Sequence, residues 1–163
     1  MIPARDEHWP LIWPFLSRIV AEGETYTYDR DISEEEARKL WLLAPPGHTI
    51  VATGPDGRVL GTAKMARNQA GPGSHVANAS FMVDPSTGMK GAGRMLGRYM
   101  LEWARSEGFS AVQFNAVVET NTRAVKLWKS LGFQIIGTVP EAFDHPHHGR
   151  VGLHIMHRYL PLI

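Results

Sequence analysis

The hydrophobic and polar positions of this chain switch between helical and strand spacing in a definite order. Apolar residues recur at helical spacing from about Glu7 to Val20, and Pro14 should kink this helix or delay its start. Ser33 and Glu36 have the spacing of a capping box, which predicts a second helix directly after them. The predicted apolar stripe of this second helix consists of Ala37, Leu40 and Trp41.

Further segments have the composition and length of β-strands. They cover residues 48–53, 59–65, 75–83, 111–118, 134–140 and 151–159, and a GPDG turn joins the first two into a hairpin. Amphipathic helices are predicted at Ala92–Glu107 and at Thr122–Ser130. The apolar face of the longer one consists of Met95, Leu96, Tyr99, Met100 and Trp103. This order predicts a mixed α/β sheet with helices on both faces.

Composition narrows the kind of protein without identifying it. The 163 residues are 44% hydrophobic and 20% charged, so we expect one globular domain over residues 1–163. A net charge of +1 with scattered Lys and Arg gives no field for nucleic acid or an anionic membrane, and neither is expected as a partner. The chain has no cysteine, which excludes disulfides, thiolate nucleophiles and Cys-based metal sites. No apolar run approaches the roughly 20 residues of a membrane span, and the first residues lack a signal-peptide pattern, so we expect a cytoplasmic protein.

The segment FMVDPSTGMKGAGRML carries the first chemical signal. A strand ends at Val83, and the glycine-rich stretch GMKGAG opens the long helix. Gly91 and Gly93 lack Cβ atoms, so a ligand can approach the backbone closely there. Backbone N–H groups at the N-terminus of a helix form a site for phosphate oxygens, although tight turns without a ligand use the same glycines. A Walker loop would need Lys followed by Ser or Thr after the last glycine, and a dinucleotide fingerprint would need a third glycine where Leu96 stands.

A second segment downstream gives the first one a family context. The strand AVQFNAVV followed by ETNTRAVKLWKSLGFQIIG resembles the closing motif of the GNAT family of N-acetyltransferases, and GMKGAG is similar to that family's acetyl-CoA loop. The two segments together run from about His75 to Gly137. The resemblance implies a GNAT-like mixed, mostly antiparallel sheet flanked by helices on both faces, with acetyl-CoA as cosubstrate and no metal. The residues that it assigns to acetyl-CoA are Met82, Val83, Gly88, Met89, Lys90, Gly91, Ala92, Gly93, Arg94, Asn121 and Trp128.

The contexts of several asparagines indicate a branch within that family. ANASFMV, FNAVVETNTRAVKLWKSLGF and IIGTVPEAF resemble the fungal azetidine-2-carboxylate N-acetyltransferases, which act on a proline-like secondary amine and use asparagines in the active site. By this resemblance Asn78, Asn115 and Asn121 match the active-site asparagines. Asn78 and Asn115 are therefore the candidate catalytic residues. The alternatives are structural hydrogen bonds for Asn78 and Asn115, and a helix N-cap for Asn121.

Some positions depart from the wider family and put its usual chemistry in doubt. The Arg or Gln that opens the loop is replaced by Gly88, which leaves Lys90 and Arg94 as charge partners for phosphates. Trp128 stands where many members have a tyrosine that protonates the leaving thiolate, and helical spacing alone would place Trp128 in the core. Asn78 stands where a carboxylate base is common. Catalysis is then expected to depend on positioning the amine and polarising the thioester carbonyl.

Other polar and aromatic residues are weaker candidates. Tyr26 and Tyr28 either line the amine pocket or are simply half-buried. The histidines of DHPHHGR all come from one loop, so a place at the pocket rim or in a dimer contact is favoured over a metal site. Glu119 and Asp84 are the acidic residues near the two motifs and are candidates for accepting a proton through water, although Asp84 fits a turn residue first.

Two functions from different classes fit this sequence. The first is an N-acetyltransferase that moves an acetyl group from acetyl-CoA to the amine of a small molecule, an amino acid or a proline analogue, by direct attack without a covalent intermediate. The alternative is a non-catalytic acyl-CoA-binding sensor or interaction module of the same fold. The missing tyrosine and carboxylate favour the module, whereas the glycine loop and the asparagines favour the enzyme. An exposed final strand is expected to allow a homodimer.

Overall fold

The computed structural model of the protein describes residues 1–161. The helices are α1 (Trp9–Glu22), α2 (Glu34–Trp41), α3 (Ala92–Ser106) and α4 (Thr122–Ser130). The strands are β1 (Ile2–Pro3), β2 (His48–Thr53), β3 (Val59–Arg67), β4 (Val76–Val83), β5 (Ala111–Val118), β6 (Gln134–His145) and β7 (Gly149–Tyr159). The capping box at Ser33 is confirmed, since its hydroxyl accepts the N–H of Glu36 and the Glu36 carboxylate accepts the N–H of Ser33.

The strands form one seven-stranded sheet in the order β1-β2-β3-β4-β5-β7-β6. Neighbouring strands are antiparallel except for β4 and β5, which run parallel. The predicted mixed, mostly antiparallel sheet is therefore confirmed. The sequence did not predict β1, because a strand of two residues has no period to detect. The final strand, β7, lies between β5 and β6, so the expectation of an exposed final strand was wrong and β6 is the edge strand.

Helices cover both faces of the sheet, and each pair of helices has its own hydrophobic core. Successive residues of a strand point to opposite faces. Ile50 packs with the cluster under α3 and α4, and its neighbour Val51 packs with the cluster under α1 and α2. In β4, Phe81 and Val83 face α3 and α4, whereas Met82 faces α1 and α2. The centre of the sheet is therefore buried on both sides.

The helices differ from the sequence pattern at a few positions. Pro14 lies inside α1 without ending it, because buried residues on either side of it, such as Ile12 and Leu16, hold the helix against the sheet. Leu40 is 44% exposed and Met95 is 51% exposed, although both were expected on the apolar faces of their helices. Only one stripe of each helix contacts the sheet, and these two side chains lie outside it.

Candidate active site

A cleft opens between β4 and β5, the parallel strands in the middle of the sheet. In the part of the chain that the structure describes, their last paired residues are Ala77 and Val112. The N–H and C=O groups of Phe81 then point away from β3 and into this cleft, since both bond to the hydroxyl of Tyr26. A strand edge of this kind can bond to the amide groups of an extended ligand.

Amide side chains meet at the point where the two strands part. Asn78 Nδ2 donates to Asn68 Oδ1 at 3.2 Å, and Asn115 Nδ2 donates to the same oxygen at 2.7 Å. Gln113 Nε2 donates to Asn115 Oδ1 at 2.9 Å. We call Asn68, Asn78, Gln113 and Asn115 the amide cluster. Asn78 lies an even number of positions before Met82 in β4, so the cluster lies on the α1 and α2 face of the sheet.

The amide cluster brings the two candidate catalytic residues together and is open to solvent. Asn115 is exposed, whereas Asn68, Asn78 and Gln113 are half-buried. Among residues 1–161, two side-chain atoms of the cluster, Oδ1 of Asn78 and Nδ2 of Asn68, have no hydrogen-bond partner. Since an amide side chain both donates and accepts, the cluster can bind an amine nitrogen or a carbonyl oxygen.

Two tyrosines of the α1–α2 loop stand beside the cleft. The Tyr26 hydroxyl donates to the carbonyl oxygen of Phe81 and accepts the N–H of Phe81 at 3.2 Å. The rings of Tyr26 and Tyr28 stack with 5.7 Å between their centroids. Burial raises the pKa of Tyr28 to about 12 and raises the pKa of Tyr26 more strongly. Both hydroxyls are therefore neutral near pH 7, and that of Tyr26 serves as a hydrogen-bonding group at the edge of β4.

Aromatic side chains fill the cleft on the α3 and α4 side. The ring of Trp128 lies 4.6 Å from that of Phe81 and 4.9 Å from that of Phe114, between centroids. Phe114 stacks on Phe133 at 4.4 Å. Trp128 is 7% exposed, so the core position suggested by its helical spacing is confirmed. Contact between Trp128 and a cosubstrate stays a prediction.

The glycine loop between β4 and α3 leaves backbone N–H groups free. Gly88 and Gly91 have φ angles of 64° and 96°, which favour glycine, and a Cβ at either position would meet no atom within 4 Å. Within residues 1–161, the N–H groups of Ala92 and Gly93 have no protein acceptor, and the N–H of Met95 makes the first bond, to the Gly91 carbonyl. These free N–H groups and the helix dipole suit a phosphate.

Some residues assigned to the cosubstrate have structural roles. A Cβ on Gly93 would lie 3.2 Å from Leu127 Cδ2, so the lack of a side chain there serves the packing of α3 on α4 rather than the approach of a ligand. Met82 is 2% exposed and its side chain packs under α1 and α2, so its assignment to the cosubstrate stays a prediction. Asn121 Oδ1 accepts the N–H of Ala124 at 3.3 Å, which confirms the helix N-cap.

The other residues of the glycine loop and its flanks differ in their exposure and in their side-chain contacts. Met89 is 47% exposed, and Lys90 is also exposed. Arg94 Nη2 donates to Ser130 Oγ at 3.0 Å, at the end of α4. The side chain of Val83 packs in the core under α3 and α4. Since Arg94 is engaged with α4, Lys90 is the loop cation better placed to pair with a phosphate.

The acidic candidates are occupied by other partners. Asp84 Oδ1 accepts the N–H of Ser86 at 2.9 Å and lies 3.2 Å from Arg18 Nη2, so Asp84 is a turn residue in an ion pair. The Glu119 carboxylate accepts the N–H of Gly152. In the described residues, no carboxylate bonds to the amide cluster. The direct partners within the amide cluster are therefore other amides.

The histidines of DHPHHGR lie at the end of β6 and in the turn to β7, and His147 links this hairpin to the α1–α2 loop. His145 is 7% exposed, and its Nδ1 accepts the N–H of His147 at 3.1 Å. His147 Nε2 lies 3.3 Å from Glu24 Oε1, in the loop that also carries Tyr26. The hairpin thus reaches the rim of the cleft. Among residues 1–161, no group of side chains is arranged to hold a metal ion.

The sequence did not single out Asn68 or Gln113, although Asn68 holds the amide cluster together. Asn68 follows β3 directly, and its N–H donates to the Val76 carbonyl at 2.7 Å. The signal that would have found it is the antiparallel register of β3 with β4, which brings the residue after β3 next to Asn78. Gln113 lies two residues before Asn115, hence on the same face of β5.

Comparison with known proteins shows which family this chain resembles. Residues 13–133 match the model of the Acetyltransferase (GNAT) family. The structure of a GCN5-related N-acetyltransferase from Kribbella flavida is 58% identical, with a TM-score of 0.94, over 98% of this chain and 96% of that chain. The N-acetyltransferase aca1 of Schizosaccharomyces pombe is 28% identical over 162 residues, covering 90% of this chain and 78% of that protein. A phosphinothricin acetyltransferase from Sinorhizobium meliloti, in complex with acetyl-CoA, shares the fold at 20% identity, with a TM-score of 0.85 over 98% of this chain and 86% of that chain.

Proposed function

Because this chain belongs to the GNAT family of acetyltransferases, we propose that it moves an acetyl group from acetyl-CoA to the amine of a small molecule. Family membership makes it an acyl-CoA-dependent acyltransferase. The acetyl donor and the small acceptor are our proposal. The observation that carries it is the amide cluster, which lies where β4 and β5 part.

The glycine loop and the cleft fit acetyl-CoA. The free N–H groups of Ala92 and Gly93 and the exposed ammonium of Lys90 suit the pyrophosphate. The open space over Gly91 lets phosphate oxygens approach the backbone. The edge of β4 at Val83 suits the amide groups of an extended pantetheine arm. When bound, acetyl-CoA supplies a thioester carbonyl that an amine can attack.

The chemistry that fits these residues is direct attack. No thiol-based acyl-enzyme can form, because the chain has no cysteine. The acceptor nitrogen attacks the thioester carbon, so an N–C bond forms, the C–S bond breaks, the sulfur leaves as a thiolate, and the amine proton passes to water. Asn78 and Asn115 orient the amine and the carbonyl. Because an amine attacks only with its lone pair free, we expect kcat/KM to rise with pH until the amine is deprotonated.

For the acceptor we propose an amino acid or a proline analogue. The asparagine contexts that resemble azetidine-2-carboxylate N-acetyltransferases support this choice, and the likeness to the N-acetyltransferase aca1 of S. pombe supports N-acetyl transfer. The side-chain oxygen Oδ1 of Asn78, which has no partner in residues 1–161, can accept the hydrogen of a secondary amine. A cytoplasmic location and a homodimer stay predictions, and for the dimer the edge strand β6 replaces the final strand as the proposed contact. None of the helices in residues 1–161 has the length and apolar character needed to span a bilayer.

A thiol-release assay with acetyl-CoA and a panel of amines tests the proposal. The panel contains proline, azetidine-2-carboxylate, primary amino acids and polyamines, and mass spectrometry identifies the N-acetylated product. We expect one class of small amine to be acetylated far faster than the others. Thiol release without an N-acetylated product, or no release with any small amine, would contradict the proposal.

A further inference from the structure

Lys64 is a half-buried cation on the α1 and α2 face of the sheet. It lies on β3 opposite Ser80 of β4, and Asn78 is the next residue of β4 on the same face. Lys64 forms no ion pair with any carboxylate in the described part of the chain, where the pairs involve other residues. A positive charge that is partly removed from water without a counter-ion calls for an explanation.

The groups that hold the Lys64 ammonium are neutral. Nζ donates to the Leu40 carbonyl oxygen at 2.8 Å, near the end of α2. It lies 5.4 Å from the ring centroid of Tyr28 and 5.5 Å from that of Trp41. Aromatic faces and a carbonyl oxygen stabilise a cation without neutralising its charge. Burial accordingly lowers the pKa of Lys64, because the charged form lacks part of its solvation.

Lys64 lies on the same face of the sheet as the amide cluster. Because Lys64 pairs with Ser80, its diagonal neighbour on this face is Asn78, roughly 7 Å away. Tyr28, over which the ammonium lies, stacks on Tyr26, whose hydroxyl bonds to the edge of β4 in the cleft. Lys64 therefore lies on the face opposite the aromatic core under α3 and α4, with its backbone one diagonal step from Asn78 and its ammonium over Tyr28 and Trp41.

We propose that Lys64 is the anion-binding residue of the acceptor site and that it recognises a carboxylate on the acceptor. This inference rests on the proposed function and names the group that anchors its substrate. A carboxylate supplies the missing counter-ion, and when it is bound at Lys64 the amine of the same molecule lies toward Asn78. A polyamine, in contrast, would be repelled by the ammonium. Lys64 is thus a specificity-determining residue and takes no part in the bond changes.

Binding of matched ligands tests the proposal without turnover. Isothermal titration of the protein saturated with coenzyme A compares L-proline with L-prolinamide, and L-alanine and glycine with their amides, so that each pair differs only at the carboxylate. Lys64→Met keeps an apolar stem between the rings and removes the charge. The matched control is Lys39→Met, which removes a lysine of α2 that is 72% exposed and pairs with Glu35.

The wild type and Lys39→Met should bind the best carboxylate at least about tenfold more tightly than its amide, the difference expected for one charge-assisted hydrogen bond. Lys64→Met should bring this ratio close to one, and Lys64→Arg should restore part of it. If no carboxylate binds better than its amide to the wild type, the proposal is wrong. If Lys64→Met weakens both ligands equally and lowers the free energy of unfolding, Lys64 only completes the end of α2, and the proposal is also wrong.

The outcomes for Lys64 and for the proposed function are separate. Preferential binding of carboxylates with no acetylation of any amine would support the role of Lys64 and refute the proposed transfer. Acetylation of acids and amides at equal rates, with equal affinities, would support the transfer and refute the role of Lys64.

Discussion

Replacing Asn68 with alanine removes the acceptor that the amide cluster shares. Asn68 Oδ1 accepts from Asn78 at 3.2 Å and from Asn115 at 2.7 Å, so one truncation releases both candidate catalytic side chains. Each hydrogen bond contributes about 0.5–1.5 kcal/mol net, and the loss of both therefore costs about 1–3 kcal/mol. If all of this energy serves to position the two amides in the transition state, kcat falls between about fivefold and about 150-fold.

The assay combines steady-state thiol release at saturating acceptor with urea denaturation. Asn68→Asp keeps an oxygen acceptor for both donors and should retain a kcat close to that of the wild type. Gln69→Ala truncates the neighbouring exposed amide, which bonds to no member of the amide cluster in residues 1–161, and should also leave kcat unchanged. The KM for acetyl-CoA should be unchanged in all three variants, because the glycine loop is not altered.

Stability measured on the same proteins separates positioning from bracing. Asn115 is exposed, so water replaces the bond that it loses, and the free energy of unfolding should fall by an amount near the lower end of that range, about 1 kcal/mol. An Asn68→Ala variant with wild-type kcat and a clearly lower free energy of unfolding would refute the reasoning. The amide cluster would then be a brace between β3, β4 and β5.

Other parts of the site give further expected outcomes. Gly91→Val should abolish the rise in Tm that acetyl-CoA produces in the wild type. The control Gly108→Val, which is also strained at φ 80° but lies away from the glycine loop, should retain this rise. An unchanged rise in Gly91→Val would exclude the glycine loop as the phosphate site. Trp128→Phe should lose stability through its core contacts but keep kcat within about tenfold, and a fall of about 100-fold in a folded variant would show that Trp128 has a role in the reaction beyond core packing. Because burial raises the pKa of Tyr28 to about 12, its neutral form favours the folded state below about pH 10, and this contribution is lost as pH rises through 12. Urea denaturation between pH 10 and pH 12 should therefore show a smaller loss of stability for Tyr28→Phe than for the wild type, and equal losses would contradict this reading.

Periodicity in the sequence predicted the main elements well, because each has a buried stripe long enough to repeat. The bounds of α4 and β5 agree with the predicted residues, and the amphipathic pattern found α3 within one residue. β6 runs on to His145, past the predicted end at Pro140, because an edge strand tolerates a proline and an irregular stretch between Val139 and Phe143. The residues after Val139 have a composition typical of a turn, which predicts the end of the strand there. The pairing with β7 continues the strand in spite of this composition.

The site was harder to predict, because its residues come from different elements and meet only through the register of the sheet. Asn78 and Asn115 were found by their context, but the residue that joins them, Asn68, lies in a loop without any periodic pattern. Met82 was chosen by its place in the motif alone, and the alternation of β4 buries its side chain under α1 and α2, so its contact with the cosubstrate stays a prediction. The partners of Lys64 depend on how α2 sits over the sheet, which no local pattern encodes.

Kinetics and binding of Asn78→Ala test the central claim most directly, namely that the amide cluster acts on the reacting groups. The variant should bind acetyl-CoA with near-normal Kd, because the glycine loop is intact, and should lose at least about 100-fold in kcat, by comparison with the loss of an oxyanion donor. Urea denaturation verifies that the variant is folded. Weaker binding of acetyl-CoA with an unchanged kcat would contradict the account and place Asn78 in the cosubstrate site.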